Sequence, residues 1–365
     1  MEIYLDYAAS TPLDEEVLNG MLPYFSEEFG NSGSLHAFGR RAAYAVETAR
    51  ERVAATLGVK PKEVFFTSGG TESNNWAVQR LGEGSVCISA IEHKSVSEAA
   101  KWRKGGFTVA PCGADGIVTA EHVKSALTAD TGLVAIMAVN NETGCIQPLR
   151  EISALCKEKG LPLFSDCVQA GSTLDLKEVC ALTDAISLSG HKIYGPKGTG
   201  VYVVKSGHIV PLLAGGDQER GLRGGTVNTA GAVGFSLALE KVQKIREDYC
   251  KHTGEVRDLF ERTVLGALKE EVKVDGVNRA CNLSHITFKK GGVAFLSKLD
   301  LAGVAASGGA ACSVGSARPT PVLLAMGRSE DEAQRGVRFS FGKHTTKENA
   351  KNAAELVISC YRTLG

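Results

Sequence analysis

This chain is poor in the patterns that most quickly disclose a function. Its ten cysteines never form a C-x-x-C pair, so neither a zinc knuckle nor a thioredoxin-type dithiol is indicated, and no metal site is expected. There is no G-x-x-x-x-G-K-[ST] and no G-x-G-x-x-G after a first strand, which argues against a P-loop or a nicotinamide fold. No apolar run approaches membrane length, and the opening Met1-Glu2-Ile3-Tyr4-Leu5-Asp6 lacks the basic and apolar regions of a signal peptide. A cytoplasmic protein with no membrane partner is expected. Net charge is missing too: Lys plus Arg and Asp plus Glu are both 41. No global field therefore recruits nucleic acid.

At 365 residues the chain exceeds one ordinary hydrophobic core, so two lobes are expected. Its 43% apolar and 22% charged residues are those of a soluble globular protein. The cysteines are dispersed, and most should be reduced, buried and inert.

Residues 1–13 read as an extended arm, and Asp14-Glu15-Glu16 place acids at a helix start. A long helix is expected over 36–57. Short apolar strands at 64–67, 85–91, 107–110, 133–139 and 161–165 then alternate with helices at 71–81, 95–104, 120–127 and 150–159. That rhythm predicts an α/β fold, a mostly parallel sheet sandwiched by helices, with ligands beyond the carboxyl ends of the strands. A helix over 227–252 marks passage into a smaller α+β lobe. Its elements are strand 282–288, helix 293–299, helices from Pro321 and Ser329 (with a Ser329-x-x-Glu332 capping box), strand 337–341 and a closing helix after Thr345. We expect a large domain over 14–250, with 1–13 and 251–365 forming the small one.

The loops after the strands carry the chemistry. Ser189-Gly190-His191-Lys192-Ile193-Tyr194-Gly195-Pro196 holds a lysine in a glycine-punctuated turn between two strands. Desolvation there favours a nucleophilic amine, as a Schiff base requires. Ser68-Gly69-Gly70-Thr71 leads into a helix, where backbone N–H groups and the dipole suit a phosphate. His93 follows a strand and could stack on a planar ligand, Asn140-Asn141-Glu142 forms a dense polar loop, and Asp166 needs a cation. Each loop alone has a plain structural explanation. Together they supply a phosphate cradle, a stacking ring, a pyridinium partner and a Schiff-base lysine, the parts that hold pyridoxal 5'-phosphate.

Two features concern the substrate. Arg338 lies between Val337 and Phe339 in a strand, where an inward guanidinium could bind a carboxylate bidentately. Cys312 sits in the Gly-, Ala- and Ser-rich segment 305–317, with few large neighbours, and reads equally as a travelling, exposed thiol or as a tight backbone crossing that carries a small residue.

These motifs resemble the cysteine desulfurases of the NifS/IscS type, fold-type I pyridoxal-phosphate enzymes. The resemblance spans nearly the whole chain and rests on Tyr4-Leu5-Asp6-Tyr7-Ala8-Ala9, Thr67-Ser68-Gly69-Gly70-Thr71-Glu72-Ser73, Glu92-His93-Lys94 and Val139-Asn140-Asn141-Glu142. It rests equally on Ser189-Gly190-His191-Lys192, Gly221-Leu222-Arg223-Gly224-Gly225-Thr226, the segment from Ser307 to Cys312, and Val337-Arg338-Phe339-Ser340. It implies conversion of L-cysteine to L-alanine, with a persulfide on Cys312 destined for iron–sulfur cluster assembly or for tRNA or cofactor thiolation. Lys192 would be the Schiff-base lysine and proton carrier. Asp166 would pair with the pyridinium nitrogen, with Gln169 and Asn141 near the phenolic oxygen. Gly70, Thr71, Ser189 and His191 would hold the phosphate, Thr226 would come from the other subunit of a homodimer, and His93 would stack and assist proton transfer. Arg338, with Asn141, would bind the substrate.

The sequence departs from the family pattern in three places. Ser165 stands where a histidine is common, and Gly70 where alanine is common. The chain ends at Gly365, without the tail that housekeeping members use to dock a scaffold, which puts docking to the usual scaffold in question; the expected sulfur acceptor is an iron–sulfur scaffold protein or a thiolation enzyme. A selenocysteine lyase, another pyridoxal-phosphate lyase or aminotransferase, and a non-catalytic sulfur-pathway binding protein are the alternatives.

Overall fold

A seven-stranded sheet lies at the centre of the molecule, and its strand directions decide where a ligand can sit. The computed structural model describes residues 2–205, 210–308 and 319–364. In chain order the strands are β1 (Ile3–Tyr4), β2 (Val64–Thr67), β3 (Ser85–Ser89), β4 (Phe107–Ala110), β5 (Thr131–Ala135) and β6 (Leu163–Asp166). They continue with β7 (Ala185–Ser189), β8 (Gly200–Val204), β9 (Val272–Val274), β10 (Leu283–Phe288), β11 (Val304–Ala305) and β12 (Gly336–Ser340).

The large sheet has the order β2-β8-β7-β6-β5-β3-β4. Strand β8 is antiparallel to both β2 and β7, and the other pairings are parallel. Six strands therefore end on one edge, as the alternating sequence pattern requires. Strands β2, β3, β6, β7 and β8 are buried at every position, which is how a sheet covered on both faces reads. Helix Ala37–Leu57 starts on His36 as N-cap and stops at Gly58, whose φ of 68° closes the last turn.

The expected helix over 227–252 is in fact two, Thr229–Lys244 and Arg246–Leu268, divided at Ile245. No glycine or proline announces the break. Its cause is tertiary: Ala232, Phe235 and Leu239 pack into the first core, whereas Val256, Phe260 and Val264 pack into the second. The chain changes partner at Ile245, and the new helix opens with Glu247 and Asp248 at its positive end. The expected strand 133–139 is regular only over Thr131–Ala135, but residues 136–139 stay buried and the ladder runs on, with Ile136 N donating to Phe164 O at 3.0 Å and Ala138 N to Asp166 O at 2.9 Å.

The second sheet is antiparallel, β12-β10-β9, with His285 opposite Arg338. The Ser329–Glu332 capping box forms as expected. The N-terminal arm crosses to this side: β1 pairs in parallel with β11, and Ile3 and Leu5 pack with Phe339 and Val357. No helix among the described residues is long and apolar enough to cross a membrane.

Candidate active site

The edge where the strands end opens into a cavity of about 220 Å³ lined by Gly70, Thr71, His93, Asn141, Asp166, Gln169, Ser189, His191, Lys192 and Arg338. Helix Gly70–Arg80 meets it with its N-terminus. Two glycines make this possible. Gly69 sits at φ 149°, and a Cβ on Gly200 would lie 2.5 Å from the Gly69 Cα. Only backbone fits between the turn and strand β8. Glu72 in the first turn accepts from Ser68 N at 2.8 Å and from Arg223 Nε at 2.8 Å, which pins the turn from both sides. Burial alone would raise the Glu72 pKa; Arg223 and Ser68 outweigh it and hold the carboxyl below its ordinary range.

Lys192 follows β7 in the short turn Gly190–Lys192. Its Nζ donates to the carbonyls of Ala8 at 2.5 Å and Ala9 at 2.9 Å. Gln169 Nε2 donates to the same Ala8 oxygen at 2.9 Å. The arm is laced to this turn a second time, because Thr11 N donates to His191 O at 2.9 Å. Tyr194 N in turn donates to Thr11 Oγ1 at 2.8 Å, with Tyr194 held at φ 62°. Ser189 Oγ lies 3.0 Å from His191 Nδ1. Burial, helped by Lys192 and Lys197, pushes the His191 pKa down to about 4. The imidazole is neutral at pH 7 and can serve an anion as a neutral donor.

Asp166 ends β6. Its Oδ1 accepts from Val168 N at 2.9 Å and its Oδ2 from Asn74 Nδ2 at 2.6 Å. Asn74 also donates to Ser95 Oγ at 2.7 Å and accepts from Ser187 Oγ at 2.5 Å. Ser95 Oγ lies 2.7 Å from His93 Nδ1. Burial lowers the His93 pKa, with Lys192 adding to the effect while Asp166 opposes it. Asn74, Ser95 and Ser187 were not singled out from sequence. The only local signal is the spacing that brings Asn74 one helical turn beyond Gly70, onto the cavity side.

Arg338 on β12 is 2% exposed. Its Nη1 donates to Asn141 O at 2.7 Å and its Nη2 to Asp6 Oδ1 at 2.9 Å, while the buried Nε has no hydrogen-bond partner. The expected inward guanidinium is therefore observed, and Asp6 is an addition that sequence reasoning missed. Thr226 is exposed and outside the cavity lining. Cys312 lies outside the described residues.

The donor set matches one kind of guest. An N-terminal helix turn with Ser189 and neutral His191 suits a phosphate, the Asp166 carboxylate suits a protonated ring nitrogen, and the Lys192 amine suits an aldehyde. The residues present thus fit pyridoxal phosphate.

The aminotransferase class-V family matches residues 3–352, and the chain belongs to that family. Within it, the chain is 38% identical over 373 residues to a protein of Rickettsia felis named cysteine desulfurase IscS, an alignment covering 98% of this chain and 91% of the relative. Among solved structures, a NifS-like protein superposes with a TM-score of 0.90 at 32% identity, covering all of both chains. A structure described as SspA in complex with cysteine superposes with a TM-score of 0.79 at 33% identity, covering 93% of this chain and 99% of the other.

Proposed function

We propose that this chain is a pyridoxal-phosphate-dependent cysteine desulfurase that converts L-cysteine to L-alanine and leaves the sulfur on Cys312 as a persulfide. The observation that carries this reading is the single cavity shared by the Lys192 amine, the Asp166 carboxylate and the Arg338 guanidinium, with a helix N-terminus at one end. Gly70, Thr71, Ser189 and His191 would hold the phosphate, joined by Thr226 of a second subunit. Asn141 and Gln169 would lie near the phenolic oxygen, His93 against the ring, and Asp166 at the ring nitrogen. Bound there, pyridoxal phosphate supplies an aldehyde for the substrate amine and an electron sink for its Cα.

The chain's own residues then divide the work. Arg338 exchanges the Asp6 carboxylate for that of the substrate. Lys192 Nζ moves the Cα proton, and the carbonyls of Ala8 and Ala9 stabilise its charged form. The Cys312 thiolate attacks the substrate sulfur, so an S–S bond forms as the substrate C–S bond breaks. The three-carbon fragment takes up a proton and leaves as alanine, and Cys312 passes its outer sulfur to an acceptor protein in iron–sulfur cluster assembly or thiolation.

A homodimer suits the exposed apolar side chains of Leu18, Leu22, Phe25, Phe29, Leu35 and Tyr44, which burial between subunits would cover. A large domain over 14–250, with a small one from 1–13 and 251–365, suits the cluster that joins Ile3 and Leu5 to Val256, Phe339 and Val357. A reducing cytoplasm suits the free thiols of the nine described cysteines.

The test is a pair of substitutions. Lys192→Ala should lose covalent attachment of the cofactor, read by mass after borohydride reduction. Cys312→Ala should keep that attachment and lose sulfur transfer. Alanine and sulfide released from cysteine at full rate by Cys312→Ala would overturn the persulfide step.

A further inference from the structure

Asn74 is 1% exposed, and its amide is fully engaged. Its Nδ2 reaches both Asp166 Oδ2 at 2.6 Å and Ser95 Oγ at 2.7 Å. An ionised carboxylate can only accept, so the amide must turn its nitrogen that way. With the amide so placed, Ser187, fully buried, gives its hydroxyl hydrogen to Asn74 Oδ1 at 2.5 Å. Ser95 Oγ accordingly receives a hydrogen from Asn74 and keeps its own for the remaining neighbour, His93 Nδ1, at 2.7 Å. The backbone N–H of Ser95 points at the same ring nitrogen at 3.1 Å. Two donors converge on Nδ1, which therefore carries no hydrogen of its own.

From this geometry we infer that Asn74 and Ser95 are positioning residues that lock His93 as the neutral tautomer with its proton on Nε2. Whatever the ring meets through Nε2 then meets a donor and not a base. Three further features act in the same sense. His93 is the N-cap of helix Lys94–Lys101, where an imidazolium would face the positive end of the dipole. Its burial penalises a charge, and Lys192 and Lys94 repel one. Asp166 and Glu142 pull the other way. They cannot place a proton on Nδ1 without displacing the Ser95 N–H. The assignment concerns the chain's own atoms; its bearing on catalysis rests on the proposed desulfurase reading. There it removes His93 from the list of bases and leaves the Cα proton to Lys192.

The tautomer is read directly by two-bond ¹H–¹⁵N correlation on the full-length, cofactor-loaded protein labelled with ¹⁵N-histidine, His93 being assigned by its loss in His93→Gln. A single Nε2–H pattern is expected at pH 7. Ser95→Ala removes one of the two donors, so the Nδ1 signal should move toward that of an unbonded acceptor nitrogen, and Ser95→Thr should restore it. Asn74→Asp draws the Ser95 hydrogen to the new carboxylate and should populate the Nδ1–H form. A wild-type Nδ1–H pattern, or Nδ1 signals unchanged in Ser95→Ala and Asn74→Asp, would overturn the inference. The wild-type spectrum alone can do so, whether or not a variant folds. No turnover is needed, so failure here and failure of the desulfurase reading are separate results.

Discussion

Arg338 Nη2 lies 2.9 Å from Asp6 Oδ1, so the guanidinium proposed to take the substrate carboxylate already holds a carboxylate of this chain. The two residues stand at opposite ends of the sequence, and Asp6 also bridges to Ser340 on the strand that carries Arg338. The planar fork on which this exchange depends cannot be imitated by a lysine, which is a point charge. Arg338→Lys should raise the KM for L-cysteine by roughly 10- to 100-fold, the range of a lost charge-assisted hydrogen bond. Steady-state kinetics with cysteine checks this, and an unchanged KM would remove Arg338 from the substrate site.

Glu92 gives a pH dependence of stability. Its Oε1 accepts from Ser89 Oγ at 2.5 Å and from Met137 N at 2.8 Å, while the buried Oε2 has no partner. Burial drives its pKa up to about 8; the Ser89 and Met137 contacts resist, and Asp166 adds to the rise. The folded carboxyl thus keeps a proton that the unfolded chain gives up at about 4.3. This stabilising contribution is complete below that value and is lost as pH rises toward 8. Glu92→Gln, permanently neutral, escapes the loss. Its stability relative to wild type should improve by about 3 kcal/mol between pH 6 and 9, read from urea midpoints at the two pH values. A constant difference would mean that Glu92 is ionised in the fold.

Arg50 and Glu219 form a buried two-pronged pair, both contacts at 2.8 Å, and Glu219 Oε2 also accepts from Phe66 N at 3.0 Å. The pair ties helix Ala37–Leu57 to a loop in which Glu219 sits at φ 45°, four residues before the Arg223 that pins the phosphate-side turn. Arg50→Met leaves an unpaired buried carboxylate and should cost about 3–5 kcal/mol. Denaturant melts test this, and cofactor retention should fall alongside because Arg223 loses its support. A loss below about 1 kcal/mol would show that the loop is held by other contacts.

The strands whose ends form the site were legible in sequence because their burial on both faces leaves uninterrupted apolar runs, and because glycines mark the turns at Gly69 and Gly190. Lys192, Asp166 and His93 could be singled out because a polar group just beyond an apolar strand demands a partner, and Arg338 because a charge flanked by Val337 and Phe339 within a strand demands one too. What could not be read depends on contacts between distant segments. Nothing near Ile245 shows that two cores compete for one helix, and nothing near Asp6 or Ala8 shows that the arm returns to Arg338 and Lys192. Asn74 was invisible because an asparagine within a helix looks like a surface residue until Asp166, Ser95 and Ser187 surround it.

The arm and β12 together set a tether length. Ser307 exchanges backbone hydrogen bonds with Arg338, N to O at 3.1 Å and O to N at 2.7 Å, so the segment bearing Cys312 is rooted on the residue proposed to grip the substrate. Covalent geometry limits five residue steps to about 18 Å, and that span starts at Ser307, the backbone partner of Arg338. On the proposed desulfurase reading, an acceptor would have to come within that reach of the substrate pocket to collect sulfur. On that reading, the reach would limit which surfaces of this protein could serve as the delivery face.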